Sequence, residues 1–271
     1  MTDINGIQLN AEDTGGSGRP IVLVHGWPLS GASWSEQIVP LQDSGFRVVT
    51  YDRRGFGQSE KPGTGYDYDT LTRDLAAIID QLNLQDVTIV GFSMGGGEAV
   101  RYVTKYGESH LHSLVLAAAV PPMLLKSENN PGGPLTVDLA SEMKAGLTDN
   151  EDNFYDGFMN GFFTANGELM VTEDQRQAAL ALCRQADKTA ALAAMNSFAT
   201  TDFREDLKNI SVPTLVIHGD ADAIVPFEGS GTRSHEAIAA SELYVVANGP
   251  HGINVSHAEE FNKALIAFLQ K

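Results

Sequence analysis

Hydrophobic residues along the chain form two kinds of pattern that alternate with each other. Short continuous runs are typical of strands buried on both faces, whereas residues that recur every three or four positions are typical of one face of a helix. The strand-like runs are Ile21–His25, Arg47–Tyr51, Val87–Val90, His112–Ala117, Thr214–His218 and Leu243–Val246. The helix-like segments are Tyr66–Asn83, Glu98–Tyr106 and Ala258–Gln270. Repeated strand–helix–strand units predict an α/β fold, with a mostly parallel central sheet and helices on both of its faces.

One region, residues 121–209, interrupts this alternation because it contains no convincing strand pattern. Glycine and proline punctuate its start, in Asn129–Pro134. Helical spacing follows in four segments, which are Leu135–Leu147, Asn153–Phe163, Glu173–Ala186 and Thr189–Phe198. We therefore predict a helical cap over residues 121–209, inserted between an N-terminal part of the core at residues 1–120 and a C-terminal part at residues 210–271.

Composition narrows the classes of function. A length of 271 residues suits a single α/β domain with an inserted lid. The net charge of −17, from 35 acidic and 18 basic residues, argues against nucleic acid and membrane surfaces as partners, because a strongly negative protein repels other anions. The single cysteine, Cys183, excludes an intrachain disulfide and a thiolate metal cluster. Neither a run of transmembrane length nor a signal-like start at Met1–Gly6 is present, so we expect a cytoplasmic protein.

A serine, Ser93, follows the apolar run Val87–Val90 in the pentapeptide Gly91–Gly95. The pattern Gly-x-Ser-x-Gly between a strand and a helix is the nucleophile elbow of α/β-hydrolases, where glycines let a sharp turn close. The start of the helix behind it offers free N–H groups to a developing oxyanion. The alternative is a glycine-rich turn that holds a serine by chance, and such a turn would lack the partners that a nucleophile needs.

Those partners are a histidine base and an acid that orients it, and in this fold their order along the chain is nucleophile, acid, histidine. His251 lies between Pro250 and Gly252 in a turn straight after the last predicted strand, where such sites are built. The acid is expected after the preceding strand, where Asp220 and Asp222 both occur. Asp222 lies further along the loop and is better placed to reach His251, whereas Asp220 is expected to bind loop backbone.

Two backbone N–H groups are expected to hold the oxyanion of such a reaction. One belongs to the residue after the nucleophile, Met94, and the other to the loop after an earlier strand, where Trp27 is the candidate. Pro28 has no N–H to donate, so it would shape this loop rather than bind charge. The segment Tyr51–Ser59 follows another strand, and we expect a glycine-rich turn pinned by charge pairs beside the site.

The predicted cap is rich in aromatic residues, whose role is open on the sequence alone. They are Phe154, Tyr155, Phe158, Phe162, Phe163 and Phe198. A stripe of aromatic residues at helical spacing is usually the core face of a helix. In a cap above an elbow serine, part of that face would also roof a substrate pocket.

Five motifs together resemble the cofactor-free haloperoxidases of the α/β-hydrolase superfamily, a group that includes bacterial aryl esterases, perhydrolases and a γ-lactamase. The motifs are His-Gly-Trp-Pro from His25, Asp-Arg-Arg-Gly-Phe-Gly-Gln-Ser from Asp52, Gly-Phe-Ser-Met-Gly-Gly-Gly-Glu from Gly91, His-Gly-Asp-Ala-Asp-Ala-Ile-Val-Pro-Phe from His218 and Pro-His-Gly from Pro250. The resemblance covers essentially the whole chain and is strongest outside the cap. It implies the α/β-hydrolase fold, a catalytic triad of Ser93, Asp222 and His251, and oxyanion donors at Trp27 and Met94.

The resemblance also implies a substrate pocket, a homo-oligomer, and activity without a cofactor or metal. The substrate-binding residues predicted on this basis are Pro28, Phe92, Phe158, Phe162, Phe198, Ile224 and Val225. Two features depart from the family. Little precedes Ile7–Asn10, so the first edge strand is expected to be missing or stunted. The early cap, Leu124–Asn130, lacks an aromatic residue near position 125, which leaves the preferred acyl group open.

The implied chemistry is acyl transfer through Ser93, with small carboxylic esters or acids as substrates and water or hydrogen peroxide as acceptor. Peroxide would yield a peracid, and any halide oxidation would be peracid chemistry in solution. In this family a proline after the oxyanion tryptophan, here Pro28, tends to accompany perhydrolysis. The alternatives are a plain esterase, lactonase or carbon–carbon hydrolase with the same triad, and a small-molecule receptor built on the same fold.

Overall fold

A seven-stranded sheet forms the centre of the protein, whose computed structural model describes residues 1–271. From one edge to the other its strands are β11 (Ser241–Val246), β10 (Thr214–Gly219), β7 (Leu111–Ala117), β6 (Val87–Phe92), β4 (Pro20–Val24), β5 (Arg47–Tyr51) and β3 (Ala11–Asp13). Neighbouring strands are parallel except β3, which pairs antiparallel with β5. The predicted α/β-hydrolase fold is confirmed, and every strand-like run of the sequence lies in or next to one of these strands.

Helices cover both faces of the sheet, which explains why its central strands are mostly apolar and buried throughout. The helices outside the cap are α1 (Ser35–Asp43), α2 (Tyr68–Gln81), α3 (Met94–Tyr106), α9 (Gly231–Ala237), α10 (Ile253–Ser256) and α11 (Ala258–Leu269). Helices α2 and α3 pack against each other, and α1 packs against α11. Every residue of β4, β6 and β10 is buried, as expected for strands between two helical layers.

Helix α2 illustrates how local sequence sets the bounds of an element. The side chain of Asp67 accepts a hydrogen bond from the Thr70 N–H and so caps the first turn. Leu71, Leu75 and Ile78 recur at helical spacing, and all three are buried. Because this face packs on the sheet and on α3, the amphipathic pattern alone was sufficient to predict the helix.

Five helices form the segment between β7 and β10, where the cap was predicted. They are α4 (Val137–Asp149), α5 (Glu151–Phe163), α6 (Glu173–Cys183), α7 (Lys188–Thr200) and α8 (Arg204–Leu207). The expectation that this region holds no strand is wrong in one detail. Two-residue strands, β8 (Thr164–Ala165) and β9 (Glu168–Leu169), form a hairpin after α5. Its turn contains Asn166 and Gly167, both at positive φ, and strands this short carry no readable alternation of polar and apolar residues.

The N-terminus contains three strands of three residues each. Strands β1 (Thr2–Ile4) and β2 (Ile7–Leu9) form a separate antiparallel hairpin, and β3 is the edge of the main sheet. The first edge strand is therefore present but short.

One continuous cluster of buried apolar residues joins the sheet, its covering helices and the cap. None of the helices combines the length and the apolar composition that a bilayer-crossing segment needs.

Candidate active site

The turn between β6 and α3 places Ser93 in a constrained backbone conformation. Its φ is +54° and its ψ is −119°, a combination that costs free energy in a residue other than glycine. A Cβ on Gly91 would lie 2.5 Å from the Gly95 carbonyl oxygen, and one on Gly95 would lie 2.4 Å from the Val24 carbonyl oxygen. Strand, turn and helix therefore approach too closely for any side chain at these two positions. The glycines of the predicted elbow are required for packing.

Three predicted site residues form one hydrogen-bonded chain. His251 Nε2 lies 2.9 Å from Ser93 Oγ, and His251 Nδ1 lies 2.7 Å from Asp222 Oδ2. Because the Asp222 carboxylate can only accept, Nδ1 carries the proton and Nε2 is free to accept the serine proton. All three side chains are buried, with Ser93 the most exposed at 6%. The arrangement has the geometry by which histidine activates a serine nucleophile.

The geometry favours Asp222 over Asp220 as the acid, as the sequence predicted. The second carboxylate oxygen of Asp222 accepts the N–H groups of Ile224 at 2.9 Å and Val225 at 2.8 Å, so the carboxylate cannot rotate freely. Burial alone would raise the pKa of Asp222, but the charge and hydrogen bond of His251, with support from His218, lower it below its ordinary value. Asp220 is exposed and accepts the Asn248 N–H at 2.6 Å, a backbone role.

The contact of His218 with the acid was missed by sequence reasoning, which treated this histidine only as the end of a strand. His218 Nε2 lies 2.8 Å from the Val225 carbonyl oxygen and 3.2 Å from Asp222 Oδ2. The side chain is fully buried beneath the loop that carries Asp222. Its position four residues before that aspartate was the available signal, because a strand followed by a tight loop brings such residues together.

The loop after β4 lies directly against the elbow. A Cβ on Gly26 would lie 3.1 Å from the Ser93 Cβ. The backbone N–H groups of Trp27 and Met94 donate to no other protein group, so both remain available to an oxyanion. The Trp27 indole Nε1 donates to the Ala191 carbonyl at 3.0 Å, which ties this loop to α7 of the cap.

A cavity of about 480 Å³ opens above Ser93 between the core and the cap, and most of its lining is apolar. Trp27, Phe158, Phe198, Ile224 and Val225, all predicted site residues, line it. Phe154, whose role the sequence left open, also lines it, and sequence reasoning missed four further apolar lining residues, namely Leu124, Leu135, Leu139 and Met143. Leu139 and Met143 are four residues apart on α4, and that helical spacing was the signal available for them.

Phe92, Phe162 and Pro28 do not line this cavity, contrary to the sequence prediction. Phe92 and Phe162 are buried behind His251, with ring centroids 5.2 and 4.9 Å from the imidazole. Phe92 precedes the serine on β6 and points into the core, and Phe162 is on the face of α5 that packs on the core. Both side chains therefore pack against the imidazole and hold it in place.

Buried ion pairs pin the segment Tyr51–Ser59, as expected from its sequence. Arg53 Nε lies 2.7 Å from Glu98 Oε1, and Arg54 Nε lies 2.6 Å from Asp74 Oδ2. Both pairs are buried and join the loop to the helical layer formed by α2 and α3. The loop is thereby fixed beside the site.

Comparison with known proteins shows the family to which this chain belongs. Residues 19–258 match the family described as alpha/beta hydrolase fold, and the chain belongs to that family as an enzyme of the hydrolase fold. It is 38% identical to the non-heme chloroperoxidase CPO-A1 of Kitasatospora aureofaciens over 273 residues, which cover 100% of this chain and 98% of that protein. Within the superfamily, the chain belongs to the cofactor-free, non-heme haloperoxidase family.

Two further relatives agree with this placement. The bifunctional esterase/perhydrolase DCH of Acinetobacter calcoaceticus is 36% identical over 278 residues, which cover 100% of this chain and 99% of that protein. The crystal structure of a bromoperoxidase from Bacillus anthracis superimposes with a TM-score of 0.95 at 48% identity, covering 98% of this chain and 96% of that one. The predicted family resemblance is confirmed.

Proposed function

We propose that this protein is a serine hydrolase that cleaves small carboxylic esters through an acyl-enzyme, and that it transfers the acyl group to hydrogen peroxide when peroxide is present. The observation that carries this proposal is the hydrogen-bonded chain from Ser93 through His251 to Asp222, which ends in an apolar cavity beside two unpaired backbone N–H groups. Those are the parts that acyl transfer needs.

Acylation begins when Ser93 Oγ attacks the ester carbonyl and His251 Nε2 takes the serine proton. The Trp27 and Met94 N–H groups hold the negative oxygen of the tetrahedral intermediate. Asp222 stabilises the imidazolium and keeps the proton of Nδ1 in place. The intermediate collapses, the alkoxide leaving group takes the proton from His251 as an alcohol, and the acyl group remains on Ser93.

Deacylation repeats these steps with a second nucleophile. His251 removes a proton from water or hydrogen peroxide, whose oxygen attacks the acyl carbonyl. Loss of the Ser93 oxygen, which regains its proton from His251, releases a carboxylic acid from water or a peracid from peroxide. In solution the peracid then transfers its outer peroxy oxygen to a halide ion, which with a proton from water becomes hypohalous acid, while the peracid, its O–O bond broken, returns to the carboxylic acid. The names of two relatives, a non-heme chloroperoxidase and a bifunctional esterase/perhydrolase, support peroxide as an acceptor.

We propose that the ratio of perhydrolysis to hydrolysis depends on Pro28. The proline directly follows Trp27 in the loop that lies on the elbow. Since a proline ring restricts the backbone of the residue before it, Pro28 would set the direction of the Trp27 carbonyl toward the entering peroxide. Replacing Pro28 with leucine should therefore lower perhydrolysis relative to hydrolysis.

The mostly apolar lining of the cavity favours binding of uncharged substrates with apolar acyl groups. Apart from Ser93, the polar side chain on its wall is Asn153. A charged acyl chain would lose hydration there without gaining a partner, which is unfavourable.

A panel of p-nitrophenyl esters of increasing acyl length, run with and without hydrogen peroxide, tests the proposal. We expect repeated turnover of the shorter esters, and peracid formation that requires both peroxide and an acyl donor. A single turnover followed by arrest would instead favour a receptor. Repeated hydrolysis without peracid at any peroxide concentration would favour a plain esterase.

We also propose that the protein is a cytoplasmic homo-oligomer, as the family resemblance implies. A free, buried Cys183 suits a reducing compartment. Light scattering after size-exclusion chromatography, and fractionation of cells that express the protein, would test these two points.

A further inference from the structure

Arg53 is a buried charge that takes no direct part in the proposed mechanism, yet it touches both segments that carry the oxyanion donors. Its Nη2 donates to the His25 carbonyl oxygen at 2.7 Å, two residues before Trp27. Its Nε donates to Glu98, which lies four residues after Met94 on α3. Arg53 therefore connects the loop after β4 with the first turn of the nucleophile helix.

His25 lies between this arginine and the oxyanion loop, and the hydrogen bonds around it assign its protonation. The Arg53 backbone N–H donates to His25 Nε2 at 2.9 Å, so Nε2 has no proton and the proton is on Nδ1. Nδ1 lies 2.8 Å from the Gly26 carbonyl oxygen and donates to it. Burial, and then the charge of Arg53, lower the pKa of His25 well below its ordinary value, so the ring is neutral.

The Gly26 carbonyl and the Trp27 N–H belong to the same peptide group. A planar peptide moves as one unit, so a donor on its carbonyl oxygen fixes the direction of its N–H. A hydrogen bond at the oxygen also polarises the group and makes the N–H a stronger donor. The Leu29 N–H is a second donor to this carbonyl, at 3.1 Å.

We propose that Arg53 and His25 are positioning residues for the oxyanion hole, an inference that rests on the proposed acyl transfer at Ser93. The Arg53 backbone N–H fixes the imidazole of His25 in one tautomer, and the Arg53 guanidinium, held by Glu98, holds the His25 carbonyl oxygen at the start of the oxyanion loop. The imidazole in turn fixes and polarises the Gly26–Trp27 peptide, whose N–H faces the developing oxyanion. Tyr51 completes the arrangement, because its hydroxyl donates to Glu98 Oε2 at 2.9 Å and holds that carboxylate in place.

The same loop contains a matched control. Arg54 follows Arg53 and forms a buried, two-point pair with Asp74, at 2.6 and 2.9 Å. Neither Arg54 nor Asp74 hydrogen-bonds to His25 or to the elbow. Substitution with lysine removes the planar, two-point geometry at either position while keeping the charge. The variants R53K and R54K therefore disturb similar buried ion pairs, and only R53K also removes the guanidinium contact with the His25 carbonyl oxygen, while its backbone N–H still bonds the His25 ring.

The experiment measures kcat and KM for p-nitrophenyl acetate and the inhibition constant of phenylboronic acid, which forms a tetrahedral adduct with an oxygen in the oxyanion hole. We expect R53K to lower kcat by about tenfold or more and to weaken boronate inhibition by a similar factor, since loss of one oxyanion donor costs about 10²–10³-fold and a misdirected one less. KM should change little, because acylation and deacylation use the same hole. R54K should keep kcat and boronate inhibition within about twofold.

A second pair of variants covers the case in which R53K does not fold. His25→Asn keeps an N–H donor at the position of Nδ1, whereas His25→Leu has nearly the same size and no donor. We expect His25→Leu to lose kcat and boronate affinity together and His25→Asn to retain most of both. Equal activity in these two variants, or an R53K variant with unchanged kcat, would overturn the proposal. Turnover that survives in Ser93→Ala would refute the acyl transfer itself, which separates the two failures.

Discussion

At the scale of single residues, the site depends on one strained serine held between glycines. Ser93 keeps a positive φ because β6 and α3 are packed so closely that the turn has no other path. Since alanine tolerates this backbone about as well as serine, Ser93→Ala should fold normally. We expect kcat/KM for p-nitrophenyl acetate to fall by about a thousandfold or more, because the variant has no nucleophile. Circular dichroism supplies the folding control, and substantial residual turnover in a folded variant would exclude Ser93 as nucleophile.

The two aspartates of the acid loop give a second test at this scale. Asp222→Asn should lower kcat/KM by about 10³-fold or more, because an amide no longer holds the His251 tautomer that can accept the serine proton. Asp220→Asn should lower it by only a few-fold, since Asp220 serves the backbone of Asn248. Steady-state kinetics of both variants at one pH provides the comparison. The reverse ranking would assign the acid to Asp220.

The roles of site residues were largely predictable where a sequence motif defines them. They were less predictable where side-chain packing decides them. Gly-x-Ser-x-Gly, the histidine after the last strand and the aspartate loop were sufficient to bring Ser93, Asp222 and His251 together. The direction in which a side chain points from a buried strand or helix was not predictable in the same way. The family resemblance predicts Phe92 as a substrate-binding residue, but its ring packs against the imidazole of His251 and does not line the cavity. Sequence alone does not say which aromatic side chain faces a cavity and which faces the core.

At the scale of elements, the sequence predicted the helices and strands whose apolar residues recur with a clear period. It missed helices that lack such a period and depend on contacts with the rest of the protein. Helix α3 begins at Met94, where the elbow pattern predicts it, although three glycines with poor helix propensity fill its first turn and helical spacing of apolar residues is readable only from Glu98 onward. A side chain on Gly95 would meet β4, one on Gly96 would meet Ala119 in the loop after β7, and one on Gly97 would meet the rings of Tyr68 and Phe203. Helix α1 was not predicted, because it is short, contains Pro40 and buries only two of its side chains.

Helix α4 of the cap controls the length of the cavity in our interpretation. Met143 lies on its inner face and lines the cavity, whereas Glu142 is exposed and does not. Met143→Trp should therefore shorten the space for the acyl chain. We expect kcat/KM for p-nitrophenyl octanoate to fall by about tenfold or more, because each methylene that no longer fits costs about 1–3 kcal/mol, while the acetate ester is hardly affected.

The matched control is Glu142→Trp, which adds the same side chain to the same helix outside the cavity. Its ratio of octanoate to acetate hydrolysis should equal that of the unmodified protein. An equal loss on both esters in Met143→Trp would instead indicate a general disturbance of the cap. That outcome would remove α4 from the determinants of acyl length.

At the scale of the whole molecule, one continuous apolar cluster joins the sheet to the cap, so the two are expected to unfold together. The cluster encloses polar groups that tolerate burial only in one protonation state. Tyr51, Tyr68 and Tyr155 are all buried in it. Burial is the first cause that raises the pKa of each of these phenols, and nearby carboxylates such as Glu98 add to it.

Buried tyrosines should make the protein less stable at alkaline pH. Burial raises the pKa of Tyr66 and Tyr102 to about 12, whereas a phenol in the unfolded chain titrates near 10. The folded state therefore holds phenol protons that the unfolded state loses above pH ~10. The stabilisation from these phenols is fully present below that pH, and the free energy of unfolding should fall as pH rises from there through about 12. We expect the tyrosinate absorbance at 295 nm to rise in a cooperative step that coincides with loss of the circular dichroism signal. In concentrated urea the same absorbance should instead follow a simple titration near pH 10. A gradual rise centred near pH 10 while the circular dichroism remains native would mean that these phenols are open to solvent, and would contradict the packing of the core described here.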